Sequence, residues 1–271
     1  MLNENFLDGK GALITGGASG FGRGVAHAFA KRGANLVLVD INEELLEKTS
    51  ADIEKKHGNK VIPIICDVSK SDQVEAMGKQ AFQELDNIYV LFNNAGLGTQ
   101  FGRNILRIKE DDWDKTMNVN LKGQWLVARA LCRKMKSQKF EPLAGKVICT
   151  ASIAGMDVDP FLPAYSISKV GIIGLMQLLA KTLAPKVAVN AISPGYHATG
   201  VYPSLDDMIN TMKHGNVKTP LNRVGTVEDV VNLVLFLASP SSNFITGHNF
   251  AIDGGIAEVG VPPSLTKDNI Y

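Results

Sequence analysis

Cysteine and net charge are what this sequence has least of. Three cysteines, Cys66, Cys132 and Cys149, occur among 271 residues, and no two form a CxxC pair. This spacing argues against a disulfide framework and against a zinc site, so we expect no bound metal. The 28 basic and 27 acidic side chains leave a formal charge of +1. The chain therefore has no basic field for nucleic acid or for an anionic membrane.

A long hydrophobic run is also missing. The most apolar stretch, 170–180, is about half of the ~20 residues that a membrane-spanning helix needs. The first eleven residues have neither the basic start nor the apolar core of a secretory signal. We therefore expect a cytoplasmic globular protein without a membrane partner, long enough to bury roughly three quarters of its unfolded surface.

Short runs rich in Val and Ile alternate with longer amphipathic stretches along most of the chain. The runs lie at 11–15, 35–40, 60–67, 88–94, 145–152 and 186–192, with a last one at 248–252. They show little polar–apolar alternation, which is typical of strands buried on both faces. Helical spacing is found at 21–31, 42–57, 71–85, 111–137, 164–183 and 227–238.

This alternation predicts an α/β fold: a single doubly wound parallel sheet, Rossmann-like, with helices on both faces and right-handed crossovers. No linker separates the elements, so we expect one nucleotide-binding domain over 1–271. A substrate loop is predicted at about 196–223 and a C-terminal tail at 256–271.

The first predicted strand ends in the segment TGGASGFG, directly before a helical pattern. Its glycines Gly16, Gly20 and Gly22 would let the backbone approach a pyrophosphate that the helix N-terminus then stabilises. The spacing is G-x-x-x-G-x-G rather than G-x-G-x-x-G, and an ordinary glycine turn is the alternative. The position after the first strand of a βαβ unit favours a dinucleotide site.

Asp40 ends the second predicted strand. A carboxylate at this position accepts hydrogen bonds from a ribose 2′-hydroxyl and would repel a 2′-phosphate. Ile41 follows it, and no Arg or Lys lies in the glycine turn to bind such a phosphate. The alternative is a helix N-cap for a helix starting at Asn42. The sequence favours NAD over NADP as the cofactor.

Tyr165 and Lys169 form a Y-x-x-x-K pair within a predicted helix. Residues four apart share a helix face, so the ammonium can favour the phenolate of a tyrosine that could exchange a proton with an alcohol or ketone. Ser152, at the end of the fifth predicted strand, could donate to the substrate oxygen. Taken alone, the pair could be an exposed helix pairing and the serine a turn residue.

Together these motifs resemble the short-chain dehydrogenase/reductase family, in its single-domain form. The match runs over about 7–255, and its motifs are TGGASGFG, Asp40, CDV at 66–68, NNAG at 93–96, VNL around Asn120, Ser152, YSISK at 165–169 and SPG at 193–195. The extended epimerase-like branch, with TGxxGxxG, fits less well because Ser19 stands where its second glycine would fall.

The resemblance implies a role for each matching residue. Tyr165 is the general acid/base, Lys169 binds the nicotinamide ribose, and Ser152 and Tyr165 bind the substrate oxygen. Asn120 resembles the helix asparagine whose backbone positions a water in the proton relay. The implied cofactor-binding set is Gly16, Ser19, Gly20, Phe21, Gly22, Asp40, Asp67, Val68, Asn94, Gly96, Tyr165, Lys169, His197 and Thr199. Asp67 and Val68 would contact the adenine.

Two positions depart from the family pattern. Phe21 stands where relatives have Ile or Leu, and His197 where a small aliphatic residue meets the nicotinamide carboxamide. Histidine is tolerated there if backbone atoms make the contact, so His197 is assigned to cofactor binding and not to catalysis. The last predicted strand packs at a subunit interface in relatives, which implies a homotetramer.

Substrate residues are not part of the family pattern. By position, the candidates are Ile153, Met156, Asp157, Phe161, Leu162, Tyr202, Met208 and Met212. This mostly apolar set indicates a small-molecule secondary alcohol or ketone on a hydrophobic, cyclic or open framework, although the two methionines could merely pack a lid. No arginine cluster indicates a phosphorylated or acyl-CoA substrate, with Arg103 and Lys213 the cations left to consider.

Two hypotheses follow. One is an NAD-dependent alcohol dehydrogenase/ketone reductase that uses Ser152, Tyr165 and Lys169. The other is a non-catalytic dinucleotide-binding sensor or assembly subunit of the same fold. Retention of Asn120 with the other three residues disfavours the sensor, which needs only the nucleotide-binding half.

Overall fold

Seven parallel strands form one sheet in the computed structural model, which describes residues 4–98, 104–197 and 219–260. They are β1 (Gly11–Thr15), β2 (Asn35–Asp40), β3 (Val61–Ile65), β4 (Val90–Asn93), β5 (Gly145–Thr150), β6 (Val187–Pro194) and β7 (Asn249–Ile252). Their spatial order is β3-β2-β1-β4-β5-β6-β7. The order reverses between β1 and β4, as in the predicted doubly wound sheet, which is confirmed.

The helices connect the strands at the predicted places. They are α1 (Gly20–Lys31), α2 (Glu43–His57), α3 (Ser71–Glu84), α4 (Glu110–Met117), α5 (Gly123–Lys136), α6 (Pro163–Leu183), α7 (Val227–Ala238) and the short α8 (Ile256–Val259). The stretch predicted as one helix at 111–137 is interrupted by a π-helical segment, Asn118–Lys122, that joins α4 to α5.

Both faces of the sheet are covered by helices, each over its own apolar core. One core gathers Met77 of α3, Leu131 of α5 and Ile172 of α6 against the sheet. The other gathers buried residues of α1, α2 and α7, among them Phe29. Burial on both faces explains why the central strands have almost no polar residues along their length.

The prediction that every strand is buried on both faces is wrong for the edges. β3 pairs only with β2, and its Pro63 and Ile65 are exposed. Proline has no N–H to donate, so a strand that contains it is typically at an edge. The residues of β7, which pairs with β6 at the other edge, are only partly buried.

The length and hydropathy of α6 would suit a membrane span. In this structure it is a core helix, since Ile172, Met176 and Ala180 pack in the sheet's apolar core and Lys169 is buried. Helices of this kind pass the same length and composition test.

Candidate active site

The glycine-rich turn after β1 leaves the N-terminus of α1 open. Gly16 and Gly20 have positive φ, and a Cβ on Gly22 would collide with the carbonyl oxygen of Gly16. A Cβ on Gly20 would meet nothing within 4 Å, so open space lies in front of the first turn. Ser19 precedes the helix without a side-chain capping bond, and the first turn contains no acid. Its free N–H groups suit a diphosphate.

Asp40 lies beside this turn at the end of β2. Its Oδ2 accepts a hydrogen bond from the N–H of Ala18 (3.1 Å) and its Oδ1 from the N–H of Asn42 (3.1 Å). The N-cap of α2 is Asn42, whose side chain accepts from Leu45 N–H at 3.0 Å. The reading of Asp40 as the N-cap of a helix starting at Asn42 is therefore wrong, because Asp40 holds the glycine turn and the helix begins at Glu43.

The predicted adenine side lies at the ends of β3 and β4. Asp67 accepts bonds from the N–H and hydroxyl of Ser69 through one oxygen (2.9 and 2.7 Å), and Val68 is buried. The side chain of Asn94 donates to the Thr15 carbonyl (3.1 Å) and accepts from the Thr150 hydroxyl (3.2 Å). Asn94 thus ties the ends of β1, β4 and β5 together.

The π-helical segment places Asn120 in the interior. Its Oδ1 accepts from Leu97 N–H (2.9 Å), and its Nδ2 donates to the Leu97 carbonyl (3.1 Å) and to the Ser168 hydroxyl (3.2 Å). The side chain therefore joins the loop after β4 to α6. In the π segment, Gly123 N–H bonds to the Asn118 carbonyl, five residues back, a geometry that often occurs at functional sites.

Lys169 is buried among these groups on α6. Its Nζ donates to the Thr150 carbonyl at 3.0 Å and lies 5.3 Å from the centre of the Tyr165 ring. Burial lowers the pKa of Lys169 to about 8, so the ammonium form prevails at neutral pH. A Cβ on Gly96 would approach Asn120 Oδ1 at 3.2 Å and Lys169 Nζ at 3.7 Å. A side chain at position 96 would therefore require Asn120 to shift by a few tenths of an ångström.

Ser152 lies two residues beyond the end of β5, which also carries Thr150. It is buried, and its hydroxyl accepts from Ala154 N–H at 3.2 Å. That bond uses the oxygen as acceptor and leaves the hydroxyl proton to donate. Ser152, Lys169 and Asn120 thus lie near the carboxyl ends of the strands, where ligands of open α/β sheets bind.

The two departures from the family pattern are in contact. The rings of Phe21 and His197 pack edge to face, with centroids 5.5 Å apart at 84°. His197 is buried, and its Nδ1 lies 3.1 Å from the carbonyl oxygen of Gly195. Thr199 lies outside the described residues, as do Tyr202, Met208, Met212, Arg103 and Lys213.

The substrate candidates that the structure describes flank Ser152 and Tyr165 in the chain. Ile153, Met156 and Leu162 are partly buried, whereas Asp157 and Phe161 are exposed. Two further apolar side chains, Ile105 and Leu106 in the segment after β4, are also exposed. Most of these side chains are apolar, as the sequence indicated.

Sequence reasoning missed the residues that hold the site together. The Thr15 hydroxyl accepts from the N–H groups of Asn94 (2.9 Å) and Ala95 (3.0 Å). The Ser168 hydroxyl donates to the Tyr165 carbonyl at 2.6 Å and accepts from Asn120. The position of Thr15 at the carboxyl end of the first strand was the available signal.

Comparison with known proteins gives consistent matches over most of the chain. A family model described as enoyl-(acyl carrier protein) reductase matches residues 16–257. The 3-oxoacyl-[acyl-carrier-protein] reductase FabG of Chlamydia muridarum is 36% identical over 256 residues, covering 94% of this chain and 100% of that protein.

Two solved structures are also similar. An NAD+-bound xylitol dehydrogenase has a TM-score of 0.83 and 30% identity, covering 92% of this chain and 99% of the other. A 3-oxoacyl-[acyl-carrier protein] reductase with bound NAD from Brucella melitensis has a TM-score of 0.82 and 29% identity, with 94% of both chains covered.

Proposed function

The chain belongs to the short-chain dehydrogenase/reductase family, and from that premise we propose that it is an NAD-dependent alcohol dehydrogenase/ketone reductase. Membership makes it an oxidoreductase that uses a nicotinamide dinucleotide and a small-molecule substrate. The choice of NAD, the secondary alcohol or ketone, and the residue roles belong to the proposal.

The observation that carries it is the arrangement around Lys169. The buried ammonium lies 5.3 Å from the centre of the Tyr165 ring and donates to the Thr150 carbonyl. Gly96, in the loop after β4, lies beside it. Burying a lysine is costly unless its charge is paired or hydrogen-bonded, and Lys169 is buried with the Thr150 carbonyl as an acceptor. The positive charge of Lys169 favours the phenolate of Tyr165, and this supports a proton-transfer role for the tyrosine.

Tyr165, Ser152 and Asn120 each have a separate role in the proposed reaction. Held by the glycine-rich turn before α1 and by Asp40, a nicotinamide dinucleotide would accept or supply the hydride. Tyr165 takes the alcohol proton at its phenol oxygen during oxidation, or gives it to the ketone oxygen during reduction. The Ser152 hydroxyl donates to the same substrate oxygen and stabilises its developing charge. Asn120 holds the loop after β4 against α6, so that Lys169 keeps its place.

Asp40 supports NAD as the cofactor. Two backbone N–H groups fix its carboxylate beside the glycine turn, where it accepts from a ribose 2′-hydroxyl and repels a 2′-phosphate. The next residue, Ile41, is exposed and offers no cation. The xylitol dehydrogenase and the Brucella melitensis reductase, which both bind NAD in their solved structures, are consistent with this choice.

The apolar candidates around Ser152 and Tyr165 support a hydrophobic carbonyl or alcohol. The names of the relatives do not decide the substrate, since a xylitol dehydrogenase and 3-oxoacyl reductases are similar to this chain at comparable identity. A 3-oxoacyl thioester is the second candidate, supported by those names. The non-catalytic sensor stays as the alternative from another class.

The test is turnover of purified protein with NAD and a panel of aliphatic, cyclic and steroid secondary alcohols, followed by the absorbance of reduced nicotinamide. A 3-oxoacyl thioester with NADH and with NADPH forms the second arm. Turnover on an apolar secondary alcohol supports the proposal. Turnover on the thioester alone favours the second candidate, and dinucleotide binding without turnover in either arm favours the sensor.

Assembly and location are proposed with the function. Exposed apolar side chains occur on α5 and α6, at Trp125, Ile167, Val170 and Leu178, and these are the side chains that we assign to a contact between subunits. The protein is a cytoplasmic homotetramer of one-domain subunits, a state that light scattering of the purified protein measures directly. Leu178→Lys, on the most exposed of the four, should lower the measured mass.

A further inference from the structure

We propose that His197 is a positioning residue for the dinucleotide: its ring fixes Phe21, and with it the first turn of α1, relative to the segment that follows β6. The inference rests on the proposed dinucleotide site but not on the choice between NAD and NADP. It concerns the side chain of His197, whereas the sequence-based assignment of this position to cofactor binding needs only its backbone atoms.

The first support is the contact itself. Phe21 is the second residue of α1, so its N–H is among the groups that have no acceptor within the helix. The edge-to-face packing of its ring on His197 limits how the turn can shift. His197 is anchored in turn by Nδ1, which donates to the Gly195 carbonyl at 3.1 Å. The ring therefore joins the diphosphate end of the site to the nicotinamide end.

The second support is the space made for the ring. A Cβ on Gly225 would collide with Cδ2, Nε2 and Cε1 of His197. Gly225 is outside the set of described glycines with positive φ, so its backbone does not itself require glycine. Its N–H donates to the Tyr196 carbonyl at 2.9 Å, and it pairs with His197 in a parallel bridge. The glycine is needed because the histidine is there.

The protonation state completes the argument. Since Nδ1 donates, a neutral ring leaves Nε2 as an acceptor, and Nε2 is buried without a hydrogen-bond partner among the described residues. Burial lowers the pKa of His197 below its ordinary 6.5. The bond to the Gly195 carbonyl, Asp229 of α7 and Asp253 after β7 oppose this effect, and Arg223, paired with Asp229, adds to it. A proton on Nε2 would be buried against Gly225, so acid weakens the arrangement.

The main test is a double-mutant cycle with family-like residues, His197→Val and Phe21→Leu. The readouts are the dinucleotide Kd by fluorescence titration without substrate, and kcat at saturating dinucleotide. Each single variant should raise Kd by about tenfold, with a smaller effect on kcat at saturating dinucleotide. The Kd of the double variant should be no higher than that of the single variant with the higher Kd. Additive losses, or an unchanged Kd in His197→Val, would overturn the proposal.

A matched control exists in the same chain. His248 is exposed and its ring lies 6.0 Å from that of Phe250, away from the glycine turn. His248→Val should leave the dinucleotide Kd unchanged. An equal loss in both histidine variants would mean that the effect is general destabilisation, and the proposal would fail. If the wild-type protein binds no dinucleotide at all, the proposed function fails instead.

Two further measurements keep the test open if His197→Val does not fold. Gly225→Ala should lower the free energy of unfolding in the wild-type background and have little effect beside His197→Ala, where the ring is gone. The wild-type dinucleotide Kd should rise about threefold or more as pH falls below 6.5. His197→Asn, which keeps a donor for Gly195, should lack that rise. Equal penalties in both backgrounds, or identical pH profiles, contradict the proposal.

Discussion

Two lysines are buried at opposite ends of the same strand, and their surroundings differ. Lys169 Nζ bonds to the carbonyl of Thr150, the last residue of β5. Lys146 lies near the start of β5, and its Nζ donates to the Ser239 carbonyl and to the Ser242 hydroxyl. Burial lowers the pKa of both, to about 8 for Lys169 and about 7 for Lys146.

The difference lies in what else is close to each ammonium. Around Lys169 are the Tyr165 ring, whose centre is 5.3 Å from Nζ, and Gly96 in the loop after β4. Lys146 sits at the C-terminal end of α7, where carbonyl groups lack partners within the helix and a cation is stabilised. A perturbed pKa therefore indicates a functional site only when a group that could react accompanies it.

Tyr165→Phe should give the largest effect, because it removes the transferable proton while keeping the ring. We expect kcat to fall by about a hundredfold or more, within the usual contribution of general acid–base catalysis, with dinucleotide Kd unchanged. Tyr89→Phe is the control, since Tyr89 is a buried tyrosine on the far side of the sheet, beside Lys10 and Phe140. A Tyr165→Phe variant with a tenth of wild-type turnover would remove this residue from the mechanism.

The variants Lys169→Met and Lys146→Met compare the contributions of the two lysines to kcat and to the dinucleotide Kd. Lys169→Met should lower kcat and also raise the dinucleotide Kd, each by about tenfold to a hundredfold, because one ammonium serves the ribose and the phenol. Lys146→Met should leave both constants within about twofold. Steady-state kinetics and dinucleotide titration separate the cases. If Lys169→Met affected kcat alone, the ribose contact would have to be abandoned.

Asp40→Asn tests the choice between NAD and NADP at the end of β2, beside the glycine turn. The wild type should favour NAD over NADP in kcat/KM by roughly a hundredfold, since charge-assisted bonds contribute ~1.5–3 kcal/mol each. Asparagine retains an acceptor for Ala18 N–H but removes the charge that repels a 2′-phosphate, so the ratio should fall by about tenfold. Asp40→Asn/Ile41→Arg should favour NADP further. Equal use of both dinucleotides by the wild type would contradict the assignment.

The smallest expected effect is on stability. The folded-state pKa of Lys146, about 7, lies below its ordinary 10.5. Between these values the unfolded chain binds more protons, so the free energy of unfolding should rise with pH. The contribution is at most about 1.4 kcal/mol per pH unit. Urea unfolding from pH 7 to 9 should show this slope in the wild type and a flatter one in Lys146→Met. Parallel slopes would mean that Lys146 is not desolvated.

Much of the architecture was predictable because its signals are local. Strand runs, the glycine turn before α1 and the Tyr165–Lys169 spacing are all patterns within a few residues. The edge position of β3 was less visible, although Pro63 was the available sign. Strand order depends on crossovers that the sequence does not specify residue by residue.

The support of the site was not predictable in the same way. Lys169 finds its acceptor 19 residues away, and Asn120 bonds to Leu97 and Ser168 in two other elements. The contact between Phe21 and His197 joins positions 176 residues apart, which family comparison marks only as two separate departures. Long-range contacts of this kind follow from the packing of the whole sheet.

The π-helical segment also changes the direction in which side chains point along one continuous helix. A turn closed five residues back contains one residue more than a regular turn, and this turns all later side chains by about 100° around the helix axis. Asn120 can thereby face α6 while Leu126, Val127 and Leu131 face the sheet. Deleting one residue here would restore a regular helix, yet it would misalign one of these two faces. The extra residue thus sets the angle around the helix axis between Asn120 and the side chains that pack in the core.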